Sequence, residues 1–180
     1  MSPEEYLETE RAAEFRSEYY QGKMFAREGA NRVHCLLAGN ATGLISKQLR
    51  NRPGNVYVSD MRLFIPASDA YPDVMAVCEE SQFLEKRRDT LLNPSLIIEV
   101  LSPSTEAYDR GRKFEHYRSI ESLTEYLLVA SDRIHTDLFT KQPDGRWLLT
   151  SADRLEDSVD LLSIARRLNL ADLYEKVEFT

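Results

Sequence analysis

The sequence predicts an α/β fold, a mixed β-sheet flanked by helices, with a helix and a hairpin at its N-terminus. Helix-period and strand-period segments alternate along the chain, so both element types must share a core. The apolar runs, such as YLLVA at 126–130, have strand length and fall far short of a membrane span. The chain has 180 residues, 42% hydrophobic and 29% charged, which suits one globular domain over 1–180 with a real core.

Each element has its own signal. Ser2, Pro3 and Glu5 make a capping box with proline at the first helical position, predicting a helix to about Ala13. Residues 15–28, FRSEYYQGKMFARE, form two alternating runs broken at Gln21 and Gly22 and predict a hairpin. From Asn31 to Arg50, apolar residues such as Leu37, Ala41 and Ile45 recur at helical spacing. Residues 55–65, NVYVSDMRLFI, are rich in β-branched and aromatic types and predict one strand. Turn residues from Pro66 to Pro72 lead to a second strand, DVMAVCE, starting at Asp73. A charged loop, Glu79 to Asp89, precedes a third, Ser95 to Leu101. SPSTEAYDRGRKFEHYRSI then predicts a helix capped by Ser102 or Ser104. TEYLLVAS is another buried strand. RIHTDLFT and RWLLTSA flank Pro143, Asp144 and Gly145 and predict a second hairpin. A short helix is expected near Leu161 to Leu170.

The start, MSPEEYLETE, lacks the apolar stretch of a secretory signal. Cys35 and Cys78 make no disulfide framework and no zinc knuckle, so two small thiols in a reducing cytoplasm are expected. The net charge of −7 lies at the ends: residues 1–20 carry −4 and residues 151–180 carry −3, leaving the middle neutral. Bases cluster there at Arg27 and Arg32, Lys47 to Arg52, Lys86 to Arg88 and Arg110 to Lys113. A local basic stripe can meet a nucleic acid even on an acidic protein, although solvated helix faces give the same pattern.

The chemistry lies in two strand carboxylates. Glu99 sits among Ile97, Ile98, Val100 and Leu101, and Asp73 follows Pro72 at the start of the preceding strand. A carboxylate taken out of water is costly unless paired or bound to a metal. If the strands are neighbours, the two acids converge and repel unless a cation lies between them. Oxygen donors of this kind suit Mg²⁺ or Mn²⁺. Equally, Glu99 could pair with an internal Arg or Lys and Asp73 could cap a turn; spacing favours neither.

YPDVMAVCE, then SLIIEVLSPST, then DRGRKFEHYRS resembles the Uma-type restriction endonuclease family, of unknown biological role, within the PD-(D/E)XK nuclease superfamily. The resemblance runs from about EYYQGKMF through EYLLVA. It implies a restriction endonuclease-like core: a helix, a three-stranded meander, a second helix and another strand. It also implies that Asp73 and Glu99, with the backbone carbonyl of Val100, hold a divalent metal for phosphodiester hydrolysis, with DNA as partner and a homodimer as assembly.

The superfamily pattern asks for a lysine two residues after the second acid, and this sequence has Leu101 there. The resemblance offers Lys113 as the replacement, reaching the site from the next helix. Asp109, Lys113 and Tyr117 share one face of that helix at i, i+4 and i+8. As a plain surface pair, Asp109 and Lys113 would contribute only about 0.2–0.5 kcal/mol. Glu18 and His34 match further positions of the family pattern, with a solvent-facing acid and an edge-of-core histidine as the alternatives. His116 and His135 show no partner spacing. Two functions follow: a metal-dependent nuclease, or a nuclease fold that binds nucleic acid without cutting. Leu101 keeps the second open.

Overall fold

In the computed structural model, residues 1–26, 29–66 and 68–179 are described. Helix α1 (Pro3–Ala12) begins as its capping box requires: Ser2 Oγ accepts from the Glu5 N–H at 3.2 Å and Glu5 Oε2 from the Ser2 N–H at 2.7 Å. Strands β1 (Ser17–Tyr20) and β2 (Lys23–Ala26) form the expected hairpin, turning at Gln21 and Gly22, whose φ values of 44° and 81° suit a tight turn. Helix α2 (Arg32–Leu49) is capped by Asn31, whose side chain accepts from the His34 N–H at 2.9 Å. Its buried face is Leu37, Ala41, Ile45 and Leu49.

The single strand expected over 55–65 is two strands, β3 (Asn55–Val58) and β4 (Arg62–Ile65). Between them the Met61 N–H bonds back to the Val58 carbonyl at 2.8 Å, and the chain passes from one sheet to another. The Ser59-Asp60 turn interrupts a run whose strand propensity is otherwise continuous. Gly54, at φ 118°, lets the chain enter β3: a Cβ there would lie 2.3 Å from the Val77 carbonyl oxygen. The segment from Pro66 to Pro72 holds a short strand, β5 (Ser68–Ala70), before β6 (Val74–Val77).

Next come β7 (Thr90–Leu91) and β8 (Leu96–Leu101). The helix that follows starts later than its sequence predicts. It runs as α3 (Glu106–Tyr108), a π-helical turn (Asp109–Lys113) and α4 (Phe114–Tyr117). Ser102 still serves its start, accepting the Thr105 N–H on Oγ at 3.2 Å. Strands β9 (Glu125–Ala130), β10 (Thr136–Lys141) and β11 (Trp147–Ala152) follow.

The helix expected near Leu161 to Leu170 is instead a hairpin, β12 (Ser158–Leu161) and β13 (Arg166–Asn169), ending in the one-turn helix α5 (Leu170–Leu173). Leu161, Ile164 and Leu168 imitate helical spacing, but burial alternates: Val159 and Leu161 face in, Ser158 and Asp160 face out.

Among the described residues the larger sheet has the order β11-β10-β9-β8-β6-β3, with β8 and β9 parallel and the other pairs antiparallel. Helix α2, β3, β6, β8, the helix at 106–117 and β9 reproduce the restriction endonuclease-like core. The smaller sheet, β2-β1-β5-β4-β7, packs beside it. Alternation along β8 sorts the layers. Ile98 and Val100 face α2 with Leu37, Ala41 and Ile45; Ile97 and Leu101 face Phe114, Tyr117 and the smaller sheet's Leu63 and Ile65. Each fully buried aliphatic side chain contributes about 1.5–3 kcal/mol. Among the described residues no helix is long and apolar enough to cross a membrane.

Candidate active site

Sheet register brings the two strand acids together. β6 pairs with β8 through Val74 opposite Ile98, so one step further Asp73 meets Glu99. The Asp73 N–H points at Glu99 Oε2, 3.4 Å away, and the Val100 N–H donates to Asp73 Oδ2 at 2.9 Å. Both carboxylates are 4% exposed. From the first turn of α2, His34 Nε2 lies 3.0 Å from Asp73 Oδ1.

Glu99 shares its strand face with Ile97 and Leu101, so it points at the helix of residues 106–117. There Lys113 Nζ stands 2.9 Å from Glu99 Oε1, 3.2 Å from Asp109 Oδ1 and 3.9 Å from Glu18 Oε1. Tyr117, fully buried, donates its hydroxyl to Glu99 Oε1 at 2.7 Å. The π-helical turn carries Asp109 at its start and Lys113 at its end; such wide turns recur at functional sites. Its height over the sheet is fixed by Phe114, stacked 5.3 Å from the Tyr126 ring, and by the Tyr126 hydroxyl, which donates to the Asp109 carbonyl at 3.2 Å.

Four carboxylates, Asp73, Glu99, Asp109 and Glu18, thus gather around one lysine. Burial pushes Glu99 up to about 8; Asp73 and Asp109 add to the rise and Lys113 opposes it. Burial would lower Lys113, but Glu99, Glu18 and Asp109 outweigh it and hold the ammonium well above its ordinary value. The lysine charge thus rests on the acids packed around it. Burial would also raise Asp73, yet the His34 contact, the Val100 N–H and the Lys113 charge hold it below the ordinary range. Two neighbouring acids with pKa values driven apart are characteristic of sites with proton or cation chemistry.

A hard divalent cation fits this donor set. Asp73 and Glu99 present oxygen only, and Mg²⁺ commonly takes one or two carboxylates while keeping several waters. Among the described residues no cluster of three or more His, Cys, Asp or Glu is placed to hold a metal, so a site here would rest on the two acids, main chain and water. A cleft of about 1240 Å³ opens over Glu18, His34, Asp73, Glu99, Val100 and Lys113.

Residues 3–171 match the model of the Uma2 family, described as "Putative restriction endonuclease". The chain belongs to the Uma2 family. Two similar proteins are uncharacterized proteins of Synechocystis sp. The first, sll1609, is 40% identical over 148 residues, which is 81% of this chain and 84% of its own. The second, slr1290, is 34% identical over 181 residues, 99% of this chain and 94% of its own. A crystal structure from Anabaena variabilis, described as "a putative nuclease belonging to DUF820", superposes with a TM-score of 0.76. It is 18% identical and is covered over 91% of its length by 90% of this chain. It shows the same fold.

Every site residue expected of this Uma2 chain comes to one place: Asp73, Glu99, Val100, Lys113, Glu18, His34 and Tyr117. Asp109 and Lys113 are not a surface pair; they are 3% and 8% exposed. Glu18 lines the cleft rather than facing open solvent. The basic run from Arg110 to Lys113 is not a free stripe. Lys113 is turned inward, and Arg110 is held by Glu106 at 2.8 Å and by Asp137, which His135 also contacts at 3.1 Å. That bolt between helix and β10 leaves no sequence signal, because Asp137 and His135 lie far in sequence from Arg110. Arg27, of the first basic cluster, lies outside the described residues.

Proposed function

We propose that this Uma2 protein is a metal-dependent endonuclease hydrolysing phosphodiester bonds of DNA. The observation that carries this reading is Lys113 Nζ at 2.9 Å from Glu99, a buried cation beside the paired acids despite Leu101 in the usual lysine position. Asp73 and Glu99 would hold Mg²⁺ or Mn²⁺. In a strand, the N–H and C=O of one residue leave on the same side, so the Val100 carbonyl faces Asp73 as its N–H does. When bound, the metal supplies Lewis-acid stabilisation and lowers the pKa of water.

The chain's own groups do the rest. His34 and the Val100 N–H fix the Asp73 carboxylate from two sides. Tyr117 fixes Glu99 Oε1 from behind, while Oε2 lies against the Asp73 N–H, beside the other acid. Lys113, kept charged by its three carboxylate neighbours, offers a point charge to the negative charge that grows on phosphate as water adds and the sugar oxygen leaves. Glu18 lines the cleft within 3.9 Å of Lys113. Nicking of supercoiled plasmid in Mn²⁺ tests this. Wild type should cut, and Lys113→Ala and the Asp73→Ala/Glu99→Ala double variant should not. Metal binding by calorimetry without any cleavage by wild type would overturn the reading in favour of a non-cutting nuclease fold.

A further inference from the structure

We propose that a second, smaller cavity behind Lys113 receives one unstacked nucleobase of the substrate strand, so that the protein acts on single-stranded or locally unpaired DNA. This rests on the nuclease reading above and names its substrate class.

The cavity measures about 350 Å³ and lies between the smaller sheet and the helix of residues 106–117. It shares Glu18, Phe25, Tyr108 and Lys113 with the catalytic cleft, so the two spaces meet at those side chains. A base entering it would leave its own phosphate beside Lys113. Its volume lies at the small end of ligand pockets, about 300–1,000 Å³, which is room enough for a nucleobase.

Rings form one part of its wall, and Glu18, Ser68 and Asp69 form a polar part. Tyr20 stacks on His116, with centroids 4.7 Å apart and planes 27° from parallel. Burial holds the His116 imidazole below its ordinary range, so this wall is uncharged at neutral pH. At the mouth, Phe25 and Tyr108 are 50% and 40% exposed. Large rings left in water at the junction of two cavities are surfaces in want of a stacking partner.

Charge favours an unpaired base over a duplex. Duplex binding relies on many Lys and Arg contacts to phosphate. Here the chain is acidic overall, at −7, and Arg110 and Lys113 are held by internal carboxylates. Stacking on aromatic rings accepts any base and adds affinity that a duplex, with its bases paired inside, does not gain. Arg112, exposed on the helix and lining the cavity, is placed to meet a neighbouring phosphate.

The test is a short single strand carrying one 2-aminopurine, titrated with the full chain in Ca²⁺ and in EDTA, beside the same sequence as a blunt duplex. Binding should quench the probe, and the single strand should bind more tightly than the duplex. Phe25→Ala/Tyr108→Ala should abolish the quenching and weaken single-strand binding by about tenfold or more. Phe25→Tyr/Tyr108→Phe should keep both, with unchanged melting temperatures for either variant. Equal affinity for single strand and duplex, or full quenching by the alanine variant, overturns the proposal. Cleavage of each DNA in Mn²⁺ separates the two readings. Ring-dependent binding without cleavage removes the nuclease and leaves the pocket. Cleavage with binding indifferent to the rings removes the pocket and leaves the nuclease.

Discussion

Lys113 meets Glu99 from across the gap between helix and sheet, Nζ to Oε1 at 2.9 Å, while Leu101, on the strand face that Glu99 shares, is 3% exposed among apolar side chains. The position that would hold a strand-borne lysine is filled by core, and the cation arrives from the opposite layer. The first prediction concerns that cation. Lys113→Ala should lower plasmid nicking by about 10²–10³-fold, the usual loss when a fixed charge is removed from an active site. Lys113→Arg should not restore it, since a planar fork cannot take the place of a compact ammonium between Glu99 and Asp109. Wild-type rates in either variant would exclude Lys113 from the chemistry.

The same lysine should hold the fold together. Lys113→Met leaves Glu99 and Asp109 buried without their partner, and breaking a buried pair this way costs about 3–5 kcal/mol. Urea unfolding should show the loss in full at pH 9, where Glu99 has given up its proton, and a smaller loss at pH 6, where Glu99 holds it. A loss equal at both pH values would mean that packing, not charge, sets the cost.

If Asp73 and Glu99 hold the metal as proposed, Glu99 should make its binding depend on pH. Its folded value, about 8, lies above its ordinary 4.5, so between those values the folded chain holds a proton that the unfolded chain has lost. Without metal, its contribution to stability is therefore fully present below about 4.5 and is lost as pH rises through about 8. A divalent cation must displace the proton, so calorimetric affinity for Mn²⁺ should rise by about tenfold per pH unit below 8 and level off above it. A flat affinity between pH 6 and 8 would remove Glu99 from the metal site.

Tyr117→Phe removes the hydroxyl that donates to Glu99 at 2.7 Å. Hydrogen bonds to a charged group contribute about 1.5–3 kcal/mol, so above pH 8, where Glu99 is ionised, the variant should lose stability on that scale. The pH at which metal affinity levels off should move up, because the carboxylate has lost a donor. An unmoved midpoint would make Tyr117 a packing residue only.

Gly54→Ala should unravel an edge. At φ 118° an added Cβ would stand 2.3 Å from the Val77 carbonyl oxygen, so β3 would have to leave β6. Strain of this kind costs about 1–3 kcal/mol. Amide exchange should rise first at Asn55–Val58, before any loss of helix signal. Uniform protection across the sheet would show that the turn can re-form.

What the sequence disclosed follows from where each signal resides. The capping box at Ser2, the Gln21-Gly22 turn and the Leu37–Ala41–Ile45 stripe are local, and each element stands where its pattern puts it. The two acids were legible as an anomaly, since carboxylates in apolar strands demand a partner. The single strand over 55–65 and the helix near Leu161 to Leu170 differ from the structure because propensity and spacing cannot see a strand change sheets at Ser59, or tell Leu161, Ile164 and Leu168 on a helix from the same residues around a hairpin. The π-helical turn and the Arg110–Asp137 bolt depend on contacts between layers, which no short window contains. The small cavity was illegible for the same reason: Tyr20 and His116 lie far apart in sequence and become a pocket only when the smaller sheet meets the helix.

The wide turn at Asp109–Lys113 has one more consequence. With the acids on the sheet and the cation on the helix, the constellation exists only at one spacing of the two layers, set by Phe114 on Tyr126 and by Arg110 on Asp137. A slip of the helix by one residue, about 1.5 Å along its axis, would leave every one of these side chains present and the constellation broken. The site therefore exists only once the two layers have docked, and it is absent from any state in which helix and sheet are apart.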